Sequence, residues 1–494
     1  MVWSAGCYWR LISRALLAGG SLRATGGWST GCNHSLAADR VRLSATCSRA
    51  PLAVLRPRES TPHLSSGGES GGMNSRIPGF YKQDAAERTD TIIEHCDLSP
   101  EASEALRDSH EVELADRLSE NVVGSVTLPL GVATNFVVDG EDVLIPMAVE
   151  ESSVVAAASH GARMARETGG FSTSVSGPYM LAQIQALDVT DPRAARIRLL
   201  ENQYELIETA NDQGVLVSHG GGCEDVSVRV VDTPTGEMVV THLVVNVQDA
   251  MGANAVNTMA EGVAPVVEEI TGGEVSLRIL SNLADHRVAR ATCRVDPAEF
   301  EREDADLTGE AARDRIVDAW AFAVGDPYRA ATHNKGVMNG IDALATATLN
   351  DWRALEAGAH AYAALDGYGP LTSYEVDDDG MLACSIEVPI QVGTVGGATG
   401  SHPTGKAAME ILDVDSADEF AGVFAALGLA ENLASMRALV TEGIQSGHMK
   451  LHAKNVAAEA GASEELVDEI AARMVSEDDV RQGRARELIA ELSE

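Results

Sequence analysis

Lysine is almost missing from this chain of 494 residues: five (Lys82, Lys335, Lys406, Lys450 and Lys454) stand beside 32 arginines and 74 acidic residues. The formal charge of −37 leaves no basic surface for nucleic acid or anionic membranes, so neither is expected as a partner. Aromatic residues make up only 4% of the chain, so any core must be built from Ala, Val, Leu and Ile. No uninterrupted apolar run approaches the roughly 18 to 20 residues that cross a bilayer, and a soluble protein is expected. Cysteines number seven, without a CxxC pair or metal-ligand spacing. The four after residue 72 (Cys96, Cys223, Cys293 and Cys384) read as reduced thiols of a cytoplasmic protein.

High Asp and Glu, scarce Lys and abundant Ala and Gly suit a surface exposed to concentrated salt, where screening within about 3 Å at 1 M suppresses self-repulsion. A halophilic setting is therefore expected, with an ordinary acidic cytosolic protein as the alternative. The acidity is uneven. Residues 1–72 carry eight Arg and three acids (Asp39, Glu59 and Glu69), a net of +5, which leaves −42 on the remainder. This segment also holds three of the five tryptophans (Trp3, Trp9 and Trp28) and three of the seven cysteines (Cys7, Cys32 and Cys47). A Ser/Arg-rich, acid-poor leader is compatible with a transit peptide. A halophile-like body argues against import, however, and the run from Gly67 to Gly72 ahead of Met73 suggests a translated ribosome-binding region. The expected start is Met73.

At 51.9 kDa the chain exceeds one compact core, so two or three domains are expected. Residues Ala85 to Leu118 alternate apolar and charged positions at helical spacing, with Ser99-Pro100 as a helix start. Ser125–Gly131 and Phe136–Met147 read as strands, and Ser153–Arg166 as an Ala-rich helix approached by Glu150 and Glu151. Carboxylates there would be favoured by the helix dipole. Between Tyr179 and Asp285 the pattern becomes that of a small inserted α+β domain. Its expected strands are Gln183–Leu187, Val226–Val231 and Met238–Val247, and its expected helices Ala194–Asp212 and Asn254–Ile270. Cys293–Asp351 returns to helices, Leu382–Val392 is strand-like, and Ser416–Glu494 is helical.

Singly, the chemistry-bearing residues read blandly. A glutamate at a helix start serves the dipole, and a lysine beside an aspartate is usually a salt bridge. His448 and His452 are spaced i, i+4, but the glutamate of HExxH is missing and no third ligand suggests itself, so no metal is expected. No Rossmann GxGxxG occurs. Lys335 shares that bland reading but is the lead for an active site, because a residue type this depleted, set in the small-residue stretch Asp326–Asp351, suggests chemistry: against carboxylates it can polarise a carbonyl and hold an oxyanion. Composition and spacing by themselves stop at a soluble α/β enzyme of unknown reaction.

Five motifs carry a resemblance: Glu120–Gly124, Val149–Ala157, Asp249–Asn254, Asp326–Asp351 and Glu442–Met449. Together, and in order from about Ser75 to the C-terminus, they resemble 3-hydroxy-3-methylglutaryl-coenzyme A (HMG-CoA) reductase of the bacterial-type, soluble second class. The resemblance implies reduction of the thioester to mevalonate and CoA with two NAD(P)H, through a mevaldyl-CoA hemithioacetal, or the reverse. By motif position it implies Glu151 as the catalytic acid and Lys335 as the oxyanion donor. Asp351 would link and tune that pair, and His448 would protonate the CoA thiolate. For the substrate it implies Ser153, Asn282, Arg329 and Asn339, with Arg329 suited to the terminal carboxylate. For the dinucleotide it implies the turn Asp249, Met251, Gly252, Ala253 and Asn254, with the backbone of Gly252 and Ala253 near the pyrophosphate. Asp212 would accept the adenosine ribose 2′-hydroxyl, which favours NAD over NADP.

The implied fold is an α+β multidomain one. A leader (1–72) is followed by a large helical substrate domain in two parts (73–177 and 284–442). A small ferredoxin-like NAD(P)-binding domain (178–283) is inserted between them, and a C-terminal helical flap (443–494) carries His448. A homodimer or multiple of dimers is implied. Glu431-Asn432 departs from the Gln-Asn expected near the substrate and adds a negative charge there.

Overall fold

The computed structural model describes residue 77 and those from 80 onward, apart from 97–98, 108–111, 215, 302–306, 398–399, 401, 442, 444–452, 478 and 493–494. The leader, including the sequence expectation about Met73, and His448 lie outside the described residues.

Among the described residues, three antiparallel sheets organise the chain. The first is a hairpin of β1 (Leu130–Val138) and β2 (Glu141–Ala148). Asp139 and Gly140 form its two-residue turn, both at positive φ (51° and 91°), the conformation whose twist matches flanking strands. Residues 125–129, expected as strand, precede β1 outside any assigned strand, and the run Phe136–Met147 is two strands rather than one. The second sheet joins β3 (Ser172–Val175), β8 (Val288–Val295), β10 (Leu382–Pro389) and β9 (Thr372–Val376) in the order β3-β8-β10-β9. Three of these strands escape the sequence reading: β3 and β9 are four and five residues long, too short to display a period, and β8 fell at the edge of a stretch read as helical.

The third sheet comprises β4 (Tyr179–Leu187), β5 (Gly222–Thr233), β6 (Gly236–Asn246) and β7 (Glu274–Leu280), ordered β5-β6-β4-β7. Helices Pro192–Glu201 and Gln203–Asn211 connect β4 to β5, and Ala253–Thr271 connects β6 to β7. This is a strand–helix–strand–strand–helix–strand unit with the ferredoxin-like order. The single helix expected over Ala194–Asp212 is broken at Asn202, whose backbone leaves the helical region at φ −102° and ψ 20°. The alternating strands and the apolar faces of these helices enclose one cluster from Met180 to Ala284.

A separate, larger cluster gathers residues from Ala133 to Phe171 and from Ala289 to Met436. Its axis is the helix Ala417–Val440, in which every residue from Phe420 to Ala434 is buried. By length and composition this helix is apolar enough to cross a membrane, yet that apolarity is consumed by packing on all sides. Small residues make the packing possible. A Cβ on Gly161, in the helix Val154–Arg166, would lie 2.0 Å from the Ala430 carbonyl oxygen, and one on Gly340, in the helix Pro327–Ala347, 3.0 Å from Leu427. Low aromatic content and abundant Ala and Gly thus translate into close helix crossings. A third cluster, Ala453 to Leu488, holds the last helices together.

Candidate active site

Three elements meet at one cleft of about 350 Å³. The turn before helix Val154–Arg166 supplies Glu151 and Ser153; helix Pro327–Ala347 supplies Arg329, His333, Lys335 and Asn339; the central helix supplies Glu431, Asn432 and Met436. On Pro327–Ala347 the residues Arg329, Thr332, Gly336 and Asn339 line the cleft together because they recur at three- and four-residue spacing. Asp326 starts this helix, its carboxylate accepting from the Tyr328 amide at 2.9 Å, with Pro327 at the first helical position.

Lys335 Nζ lies 3.2 Å from Glu151 Oε2, a pair brought together from 184 residues apart. Both side chains remain substantially exposed, 61% and 45%, so the pair contributes little to stability and stays open to a ligand. Ser153 adopts the left-handed region (φ 79°), costly for a serine, and its hydroxyl makes no capping bond to the helix it begins. That conformation turns the chain sharply between Glu151 and the helix.

Around this pair the polar groups are anchored. Asn432 donates to the His333 carbonyl at 2.9 Å and accepts from the Tyr374 hydroxyl at 2.7 Å. His333 Nε2 sits 2.6 Å from the Thr372 hydroxyl, and burial together with the charge of Arg329 lowers its pKa to about 3, so it is a neutral, structural imidazole. Arg329 reaches Met436 Sδ at 3.2 Å. Glu431 behaves differently from the sequence expectation of an extra charge. It is 2% exposed, and burial, with the Glu151 carboxylate adding to it against the pull of Lys335, raises its pKa to about 8. At neutral pH it carries a proton, and the extra charge is absent.

The remaining candidate residues lie elsewhere. Asp351 caps helix Trp352–Ala363, accepting from the Arg353 and Ala354 amides, and its Oδ1 is 3.1 Å from the Arg353 guanidinium. It is not among the residues that line the cleft with Lys335 and Glu151. A helix cap and a neighbouring guanidinium hold its carboxylate. Asn282 belongs to the same neighbourhood: Gln391 Nε2 donates to the carbonyls of both Asn282 (3.2 Å) and Ala354 (2.6 Å).

The third group lies at one end of the ferredoxin-like sheet. Helix Ala253–Thr271 begins at Gly252 (φ 89°) with no side-chain cap and no acid in its first turn. Its first amides are therefore available to an anion, and a Cβ at Gly252 would lie 2.4 Å from Val247. These features fit a dinucleotide pyrophosphate. The Asp249 carboxylate is occupied structurally, accepting the Ala417 amide at 2.9 Å at the start of the central helix. Buried Arg287 donates to the Ala250 carbonyl at 3.1 Å and the Val392 carbonyl at 2.6 Å, tying the turn to the larger core. Burial lowers its pKa to about 10, which leaves it cationic. Asp212 is exposed just beyond helix Gln203–Asn211, and Asn211 pins that helix end to Cys223 at the start of β5, the same sheet end. Asn254 is exposed on the first turn, while Met251 and Ala253 are half-buried.

The sequence reading did not single out His333, and it placed Asn432 near the substrate only as part of Glu431-Asn432, without its task in the polar frame of the cleft. Their signal is only that both are polar residues on helix faces otherwise occupied by Ala, Gly and Leu. Among the described residues no group of three or more His, Cys, Asp or Glu side chains is placed to hold a metal.

The family model for hydroxymethylglutaryl-coenzyme A reductase matches residues 84–453. The chain is 52% identical over 432 residues to 3-hydroxy-3-methylglutaryl-coenzyme A reductase of Archaeoglobus fulgidus, covering 87% of this chain and 98% of that protein. Among solved structures it is similar to the Streptococcus pneumoniae reductase, with TM-score 0.66 and 38% identity over 84% of this chain and 99% of that one. It also matches the class II enzyme of S. pneumoniae bound to NADPH in open conformations, with TM-score 0.65 and 38% identity over 83% and 100% of the two chains.

Proposed function

The chain belongs to the hydroxymethylglutaryl-coenzyme A reductase family, NAD(P)H-dependent oxidoreductases, and from that premise we propose how its own residues divide the reaction. The observation that carries the reading is the Lys335–Glu151 pair, 3.2 Å apart in a cleft that also holds Arg329, Ser153 and Asn339.

Arg329 receives the terminal carboxylate of the substrate, and Ser153 and Asn339 orient the hydroxymethylglutaryl chain toward Lys335. A bound reduced nicotinamide supplies a hydride in each of two reductions. In the first, the ammonium of Lys335 donates to the oxygen of the thioester carbonyl as charge develops on it. Collapse of the resulting hemithioacetal expels a thiolate whose conjugate acid has a pKa of about 8.5, and His448 protonates it. In the second, the aldehyde oxygen takes its proton from Glu151, whose contact with Lys335 places the acid beside the oxyanion donor. Asp351 joins this pair in the catalytic assembly, and Asn282, linked to the same helix turn through Gln391, acts on the substrate side.

The backbone of Gly252 and Ala253 would hold the dinucleotide pyrophosphate, framed by Asp249, Met251 and Asn254. A carboxylate at Asp212 suits a ribose 2′-hydroxyl and repels a 2′-phosphate, so NAD is the preferred cofactor. The domain division is 73–177 with 284–442 for substrate, 178–283 for cofactor and 443–494 as a flap bearing His448, whose closure excludes water. Val126, Leu128, Leu130, Val132 and Leu144 form an exposed apolar strip along and ahead of the first hairpin, which supports a homodimer or a multiple of dimers. Free Cys96, Cys223, Cys293 and Cys384 support a reducing, cytoplasmic setting, and the −37 charge a saline one.

The test is direct. Purified protein mixed with HMG-CoA and NADH or NADPH should oxidise the nicotinamide and release CoA thiol. Lys335→Ala should lower turnover by at least about a thousandfold, in line with loss of an oxyanion donor, while leaving the melting temperature unchanged. Near-normal activity in that variant would remove Lys335 from the chemistry.

A further inference from the structure

The mechanism above leaves one buried acid of the cleft without a task. Glu431 projects from the middle of the central helix, is 2% exposed, and lines the same cleft as Lys335 and Glu151. Its Oε2 has no hydrogen-bond partner among the described residues. The next residue, Asn432, is by contrast fully engaged with His333 and Tyr374, so the helix cannot rotate to find Glu431 a partner.

Position along the cleft follows from helix contacts. The central helix and Pro327–Ala347 run past one another such that Arg329 meets Met436, Asn432 meets His333, and Gly340 meets Glu431. Arg329 therefore marks one end of the cleft, and Glu431 lies toward the other, where Lys335 and Asn339 are found.

We propose that Glu431 is a further substrate-contacting residue, a neutral carboxylic acid that donates a hydrogen bond to the acceptor oxygen held at the Lys335 end of the cleft. A buried acid kept protonated can donate where an ionised one cannot. The proposal rests on the reading of the cleft as the reductase site. An incoming carbonyl or hydroxyl oxygen meets two donors there, one charged and one neutral, and the orphaned Oε2 gains the partner it lacks in the unliganded fold.

The surroundings favour the proton on Glu431. Its pKa of about 8 arises first from burial, with Lys335 opposing and Glu151 reinforcing. Helix Pro327–Ala347 faces it with Lys335, and carries Arg329 and His333 toward the far end; the turn before Val154–Arg166 faces it with Glu151. Helix Pro327–Ala347 also carries Asp342, whose pKa burial and then Glu356 raise to about 8, and which Glu431→Gln leaves unchanged. On other elements packed against the central helix, Arg163 pairs with Glu299, Arg166 with Asp142, Arg290 with Glu387, Arg294 with Asp377 and Asp379, and Arg313 with Asp314. His160 is held neutral by burial, its pKa lowered to about 4 with Arg437 and Arg163 adding to the shift.

The test is the pH dependence of kcat/KM for HMG-CoA in the full chain, from pH 5.5 to 9, for wild type, Glu431→Gln and Glu431→Leu. Wild type should lose activity as Glu431 ionises near pH 8. Glu431→Gln, a donor at every pH, should stay within about threefold of wild type at pH 6.5 and keep that rate at alkaline pH, since one donor replaces another. Glu431→Leu removes the donor and should lose between about tenfold and a hundredfold at pH 6.5, the value of one buried hydrogen bond. An alkaline limb in Glu431→Gln identical to wild type overturns the role of Glu431, as does wild-type turnover in Glu431→Leu. Should Glu431→Leu fail to fold, the Glu431→Gln profile decides alone. Absence of HMG-CoA-dependent nicotinamide oxidation by wild type at every pH would instead overturn the reductase reading itself.

Discussion

Replacing Glu431 by glutamine should make the protein more stable, by an amount that grows with pH. The carboxyl titrates near 4.5 when the chain is unfolded and near about 8 in the fold. Between those values the folded state holds a proton that the unfolded state has released, so raising the pH disfavours folding. Each pH unit inside the window removes about 1.4 kcal/mol, and the whole window about 5 kcal/mol. The sign is opposite to that of a salt-bridged carboxylate: stability is fully present below the unfolded value and is lost as pH rises toward the folded one. Glu431→Gln abolishes this term and keeps a polar group of nearly the same size in place. The two proteins should therefore have similar stability at pH 4.5 and diverge steadily to pH 8, all other titrations being shared. Urea unfolding followed by circular dichroism at pH 5, 6, 7 and 8 measures the divergence. Parallel stability curves would refute the reasoning, since they would mean that Glu431 carries the same charge in both states.

Two further perturbations address packing and cofactor choice. Gly161→Ala places a methyl group 2.0 Å from the Ala430 carbonyl oxygen, so the helix that begins beside Glu151 must move off the central helix; a loss of about 3 kcal/mol, at the upper end for overpacking, should appear in denaturant unfolding. The same movement should raise KM for HMG-CoA, and an unchanged melting profile would show that the crossing is looser than the geometry implies. Asp212→Ser removes the carboxylate proposed to meet the adenosine ribose and should improve kcat/KM with NADPH relative to NADH by about tenfold, the scale of one unfavourable charge–phosphate contact of ~1.4 kcal/mol. An unchanged ratio would assign cofactor choice to other residues.

Much of the element order can be read directly from residue spacing. Ser153–Arg166 and Asn254–Ile270 show uninterrupted helical periodicity, and the structure has helices at Val154–Arg166 and Ala253–Thr271. Where the reading failed, local signal was weak or misleading. Asn202 breaks a continuous helical pattern, its backbone leaving the helical region while its side-chain amide donates to the Arg198 carbonyl, and β3, β8 and β9 are defined by partners more than a hundred residues away or by too few residues to show a period. The candidate site was legible as residue types within motifs. Its assembly was not: Lys335 and Glu151 meet only because two helices cross the central one, whereas Asp351 serves first as a helix cap.

By itself the sequence determined the chemistry on offer: a rare lysine, acids at a helix start, an arginine suited to a carboxylate, and a glycine-opened helix for an anion. Motif order along the chain was enough to identify the family. Only the tertiary structure decided the electrostatic state of Glu431, because a carboxyl's pKa depends on the water excluded by every neighbour at once. Those neighbours come from the turn at Glu151, the helix carrying Lys335 and Glu431's own helix, which are separated by nearly three hundred residues along the chain and joined only by folding. The residue that reads as an added negative charge is, in its place, a neutral acid.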